Sequence, residues 1–267
     1  MLVGVEARRD RIRYHFDNPS SAGTPFLVPH FFEQTFEADN VWLVATARYT
    51  CGGVRCETSA GLAPSRSVRA DDYDTFFDPG DVVIVSGTTG NASSQSLFVS
   101  QRAEVGRAGP VQVSLGYRLR WDRFDFGVGH KTVTRNGVPT SATDVTSPEF
   151  TDSKVHELIV GFRAAPHLGL ASPTRGREGG WHLALSGDVS PMTLARLSVQ
   201  LPEKYPGQDL VFFAKVAVAT ARVALARAGE RWPIEVALQI ERSWSYRSTA
   251  QLSRSAQSIS LHGGHSW

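Results

Sequence analysis

The chain has 267 residues, 41% of them apolar and 20% charged, with 28 basic residues against 26 acidic for a net charge of +2. That much apolar content excludes a disordered chain, and a near balance of charge without a basic block gives no reason to expect nucleic acid as a partner. Nowhere do 18 apolar residues run together, which excludes a transmembrane helix but not a membrane barrel, whose lipid contact falls on alternate residues.

Met1 leads directly into Leu2-Val3-Gly4-Val5 without the basic region and continuous apolar core of a secretory leader. This strand-like opening is taken as the start of a mature, exported sequence. The first three predicted strands span 2–16, 31–50 and 56–69. A long polar connection over 18–30 separates the first two, and Cys51-Gly52-Gly53-Val54-Arg55-Cys56 separates the next two. The cysteine spacing is expected to close a disulfide across a hairpin mouth in an oxidising compartment, with two free thiols as the alternative. Two cysteines alone cannot complete a tetrahedral zinc site, so no metal is expected there.

Residues 70–95 read as a long loop rich in Gly, Ser, Thr and Asp. Asp71, Asp72, Asp74, Asp78 and Asp81 gather there around Pro79-Gly80. Three readings stay open: a solvated acidic turn, a functional cleft, or an oxygen cage for calcium whose spacing does not match an EF-hand.

The next strands, 96–107 and 111–134, carry the clearest period of two. Val111, Val113, Leu115, Tyr117, Leu119 and Trp121 alternate with Gln112, Ser114, Gly116, Arg118 and Arg120, a pattern that a helix would scatter around its axis. Arg118 and Arg120 fall on the polar face and are expected to fill a lumen. Arg123 interrupts the alternation before Phe124 and Phe126 resume it in the opposite phase, which makes it a lipid-facing candidate.

After a third long connection, 135–148, come strands at 150–171, 180–190, 209–228, 233–247 and 255–267. Within 210–228, Phe-Phe-Ala-Lys-Val-Ala-Val-Ala-Thr-Ala-Arg-Val-Ala-Leu-Ala-Arg-Ala followed by Gly229 also suits a capped helix. The alternation of Leu210, Phe212, Val216 and Val218 with alanines puts strand ahead. Trp121, Trp181, Trp244 and Tyr246 near strand ends suit an interfacial girdle, and the chain ends on Trp267 in phase with Ile259 and Leu261. The sequence therefore predicts an all-β fold, a single up-and-down antiparallel transmembrane β-barrel of about ten strands over residues 1–267. Short turns would lie on one side and long loops on the other.

Three stretches in this order resemble the omptin family of outer-membrane proteases. They are Asp72-Tyr73-Asp74 after the third strand, Gly116-Tyr117 through Arg123-Phe124-Asp125-Phe126, and Ala165-Pro166-His167-Leu168-Gly169-Leu170. The resemblance implies localisation in the bacterial outer membrane and a cleft at the outer mouth. There one aspartate pair, matched by Asp72 and Asp74, faces an Asp-His pair across an attacking water. It also implies contact with lipopolysaccharide on the outside of the barrel, for which Arg123 is the candidate, and a peptide as substrate; no cofactor is implied. The segment expected to hold the second pair, Ser190 to Pro206, contains no Asp-x-His. Two other classes remain: a non-enzymatic barrel serving adhesion, lipid binding or structure, and a soluble β-barrel binding a small apolar ligand.

Overall fold

A computed structural model describes residues 2–18, 30–78, 82–146, 150–164, 181–200, 209–227, 234–246 and 250–264. They form eleven strands: β1 (Leu2–Asn18), β2 (His30–Cys51), β3 (Val54–Asp78), β4 (Val82–Ala108), β5 (Val111–Arg135), β6 (Val138–Thr146), β7 (Phe150–Ala164), β8 (Trp181–Gln200), β9 (Asp209–Arg227), β10 (Ile234–Ser245) and β11 (Ala250–Gly264). Ten of them close a ring of antiparallel neighbours, with β1 sealing against β11, while β6 pairs only with the far half of β5. Segment 209–228 is a strand, as the alternation predicted.

Local chemistry sets the tight turns. Gly52 and Gly53 sit at φ 57° and 81°, and Asn136-Gly137 at 49° and 79°, the left-handed pair that a two-residue type I′ hairpin requires. Gly109, at φ 60°, precedes Pro110, whose ring fixes a negative φ in the manner of a type II′ turn. The turn at Gly52-Gly53 also corrects the expected disulfide. Cys51 pairs with Val54 and Cys56 with Tyr49, so the two sulfurs lie on a diagonal rather than opposite each other, and both thiols are free.

Two expected loops are also corrected. β3 runs on to Asp78 and β4 starts at Val82, so most of 70–95 is a paired hairpin; β6 occupies much of 135–148. β8 likewise runs ten residues past its predicted end at 190, to Gln200. The expected strand ends at 165–171 and 265–267, with His167 and Trp267, lie outside the described residues, as do the connections 19–29 and 201–208.

The register sets the shape. Crossing from Leu2 through Thr46, Ser59, Ser100, Arg118, Glu157, Thr193, Val216, Ser245 and Leu252 leads back to β1 at Tyr14. This stagger of about twelve residues around ten strands corresponds to a strand tilt of roughly 40°.

At the end of the barrel that carries the Gly52-Gly53 and Gly109-Pro110 turns, the tight-turn end, the exterior is apolar, while Asn136-Gly137 lies at the opposite end. Leu43, Leu62, Leu115, Leu158, Leu238 and Leu261 are each at least half exposed, in one belt with Val5, Val99, Leu119, Val189, Leu225 and Ile240. On β5 the belt runs from Val113 to Trp121, which at this tilt is roughly 20 Å of height, against about 25 Å for the apolar band of a transmembrane barrel.

Farther from the tight turns both faces change chemistry while the backbone keeps its phase. The exterior becomes charged: Arg9 with Asp39 (2.7 Å), Arg11 with Glu37 (3.3 Å), Arg13 with Glu33, and Arg123 with Asp125 (2.9 Å). The interior becomes apolar: Ile12, Tyr14, Phe36, Val68, Ala70, Phe124, Phe126, Ala195, Leu197 and Ala214 are buried together. The expected wet lumen therefore belongs to the belt half alone. Beyond it the exterior meets water, so burial of apolar surface must happen inside.

Candidate functional site

Three tiers fill the bore, taken from the tight-turn end. The first is a vestibule of about 390 Å³ lined by charged side chains, among them Arg48, Glu57, Arg102, Arg163, Asp188, Arg222 and Glu235. Alternation places these charges inward because their outward neighbours occupy the belt. Arg102 grips Asp188 with two parallel bonds of 2.6 and 2.7 Å, Arg48 donates to Glu57 at 2.8 Å, and Arg222 pairs with Glu235. Trp42 and Phe98, 5.5 Å apart, cover one wall above it. Phe98 lies over Gly61, where a Cβ would come within 2.2 Å of the ring, so glycine is required beneath it.

The second tier, level with the outer edge of the belt, is a closed charge layer. Glu241 accepts from Arg8 (3.1 Å) and from both terminal nitrogens of Arg120 (2.9 and 3.1 Å). Arg254 donates to Asp10 (2.7 and 2.9 Å) and Asp122 (3.0 Å), and Asp122 also accepts from Ser96 (2.7 Å). Arg118 pairs with Glu157 on the vestibule side at 2.5 Å. Arg8, Arg118, Arg120 and Arg254 thus balance Asp10, Asp122, Glu157 and Glu241, as burial of charge demands. Arg118 and Arg120 do face the lumen, as predicted. Glu157 lies directly opposite Arg118 on the neighbouring strand, whereas the pairing of Arg120 with Glu241, across 121 residues, follows from the ring register and not from sequence spacing.

The third tier is an aromatic plug. Phe36 stacks on Phe124 with centroids 4.1 Å apart, and Phe126 (5.4 Å) and Tyr14 (6.0 Å) close around it. Phe36 and Phe124 are essentially inaccessible, so the bore is filled at this level.

Asp72 and Asp74 lie beyond the plug, on β3 rather than in a loop. Their side chains are outside the described residues, but their backbone register is clear. Asp72 lies between Gln34 and Thr88, with Lys131 one strand further; Asp74 lies between Phe32 and Ser86, with Val133 one strand further. No histidine stands in either row. His130 is one row away, paired at 2.9 Å with Asp144 on the exposed β5–β6 hairpin. His15 lies 3.5 Å from Glu33, and His156 shares a 2.6 Å hydrogen bond with the Tyr117 hydroxyl. β8 carries Ser190 to Gln200 as a strand, and the absence of an Asp-x-His there stands.

Arg123 sits on the exterior one position past the belt edge, half-buried, with its Nε donating to Asp125 at 3.0 and 3.2 Å and its Nη2 2.9 Å from the same carboxylate. The alternation does not break there: Arg123 and Asp125 continue the outward phase of Leu119 and Trp121, and Phe124 and Phe126 continue the inward phase of Arg120 and Asp122. Of the expected girdle, Trp121 is outward at the belt edge and donates to Asp152 at 2.8 Å. Trp244 and Tyr246 are outward and about half exposed, and the Trp181 side chain lies outside the described residues.

No family model matches the chain, and no characterised protein matches it in sequence. Among solved structures it is similar to the outer membrane protease OmpT from Escherichia coli, at 7% identity and a TM-score of 0.60, over 98% of this chain and 94% of that one. The β domain of the Bordetella autotransporter BrkA (11% identity, 99% of both chains) and the translocator domain of NalP from Neisseria meningitidis (10%, 99% and 89%) have TM-scores of 0.38 and 0.31. The OmpT likeness establishes a common fold, so the omptin-like barrel read from the sequence is the fold the chain adopts.

Proposed function

We propose that this chain is an omptin-like barrel of the bacterial outer membrane that acts at its outer, loop-bearing end and does not conduct. The observation that carries this reading is the exchange of chemistry between the two faces at one level of β1, β2 and β5. Below it an apolar exterior encloses charges; above it a charged exterior encloses phenylalanines. Hydrocarbon around the lower half and water around the upper half account for both. The filled bore removes passage as the task, and the fold shared with OmpT supports the choice of membrane.

At the outer end the reading assigns Asp72 and Asp74 to a basic peptide, since paired carboxylates attract cationic side chains and can polarise water. Arg123 is assigned to a lipopolysaccharide phosphate, because a guanidinium at the belt edge can fork onto phosphate oxygens as it now does onto Asp125. The test is a detergent-refolded sample given a dibasic peptide with lipopolysaccharide present. Cleavage that disappears in Asp72→Ala and Asp74→Ala supports the assignment. Cleavage unaffected by both substitutions contradicts it.

A second reading, a non-enzymatic barrel for adhesion or lipid binding, is favoured by the rows around the two aspartates, which hold no histidine to serve as a base near neutral pH. It predicts no cleavage, together with lipopolysaccharide retention that falls in Arg123→Ala.

A further inference from the structure

We propose that the vestibule at the tight-turn end is a binding site for a small oxyanion, a carboxylate or a phosphate, held by Arg163. The space of about 390 Å³ lies within the range of small-molecule pockets and would hold roughly a dozen waters at their bulk volume. Its arginines are not equivalent. Arg48, Arg102 and Arg222 each have a carboxylate of their own in Glu57, Asp188 and Glu235. Two arginines that line the same space have no hydrogen-bond or ion-pair partner within the described residues: Arg55, exposed at the turn, and Arg163, half-buried on β7 among the others.

The charges that act on Arg163 are Arg48 and Arg222, which repel it, and Glu235 and Glu57, which are already committed. A guanidinium presents five donors in a planar fork that matches two oxygens of one anion. An arriving oxyanion supplies the missing partner and offsets the repulsion from two neighbouring cations. Glu57, Asp188 and Glu235 remain bound to their arginines, so they orient the rim and discriminate against larger anions.

The vestibule is closed at its far end by the charge layer and the aromatic plug, so a ligand enters and leaves by the tight turns. In the orientation proposed above, that mouth faces the periplasm. The site is therefore separate from the outer end in position and in the solvent it samples, and its ligand does not cross the membrane.

The test uses the full chain refolded in a non-ionic detergent, titrated calorimetrically at low ionic strength with inorganic phosphate and, separately, with acetate. Saturable uptake of at least one anion is expected. It should weaken about tenfold or more in Arg163→Gln, by less in Arg163→Lys, which keeps the charge without the fork, and be unchanged in Arg9→Gln on the exterior. Tighter phosphate binding identifies a phosphorylated ligand, and tighter acetate binding a carboxylate. Should Arg163→Gln fail to refold, Ser114→Cys in a background lacking Cys51 and Cys56, blocked with a bulky maleimide, fills the same space and must abolish uptake. Absence of saturable uptake of both anions, or uptake that survives Arg163→Gln or the blocked Ser114→Cys, overturns the proposal.

Discussion

Glu241 is the keystone of the charge layer, and Glu241→Gln isolates its charge at nearly constant volume. The carboxylate is 1% exposed and accepts from Arg8 and Arg120 at 2.9 to 3.1 Å, with Arg254 at 3.6 Å. Removing it leaves Arg8, Arg118, Arg120 and Arg254 facing only Asp10, Asp122 and Glu157, one uncompensated cation in a closed interior. Breaking a buried pair in this way costs about 3–5 kcal/mol, whereas replacing both members by apolar groups is often neutral. The double variant Arg120→Met/Glu241→Leu should therefore recover much of the loss, because Arg8 and Arg254 then face Asp10 and Asp122 in balance. The assay is guanidinium unfolding in detergent micelles, followed by the gel shift between folded and heated forms. A loss below about 0.5 kcal/mol in Glu241→Gln, or a double variant weaker than the single one, would refute the reasoning.

Further predictions concern the other tiers and the belt. Phe124→Ala removes a ring stacked at 4.1 Å on Phe36 and should cost about 3–5 kcal/mol in the same unfolding assay, while Tyr73→Ala on the exterior of the outer half should cost little. Gly61→Val drives a side chain into the Phe98 ring and should cost about 1–3 kcal/mol, largely relieved when combined with Phe98→Ala. Leu238→Arg, in the middle of the belt, should destabilise the barrel in lipid vesicles by about 2–4 kcal/mol, whereas Ser255→Arg beyond the belt should be nearly neutral. Planar bilayers containing the refolded chain should show no conductance steps, since Phe36, Phe124 and their neighbours fill the cross-section.

Much of this architecture is written locally. The strand predicted at 111–134 is β5, Val111–Arg135, and the one at 209–228 is β9, Asp209–Arg227, because each outward position meets hydrocarbon or water and each inward one meets the bore. The outer half was harder to read for a physical reason. There Thr88, Thr89, Asn91 and Asp71 look like loop residues, yet a strand whose exterior is in water accommodates them, and the β-branched run Val82-Val83-Ile84-Val85 opposite Phe76 and Phe77 was the available sign of pairing. The apparent phase break at Arg123 was a change of solvent, visible in the sequence as Phe124 and Phe126 sharing parity with Arg118 and Arg120. What no local pattern contains is the pairing across the bore. Arg120 with Glu241, Arg102 with Asp188 and the isolation of Arg163 depend on a stagger accumulated around ten strands. The cysteine pair failed for a related reason, since a two-residue turn at Gly52-Gly53 fixes a register in which the sulfurs do not meet.

The account depends on where hydrocarbon ends, and spin labels along one strand of the chain in lipid vesicles measure that directly. In a background lacking Cys51 and Cys56, single cysteines on β5 at positions 115 and 119 should be accessible to oxygen and shielded from a water-soluble relaxant. Those at 123 and 125 should show the reverse, and one at 126 should be shielded from both. Equal access to the water-soluble relaxant at 115, 119, 123 and 125 would contradict a membrane boundary at Trp121 and, with it, the membrane-spanning barrel.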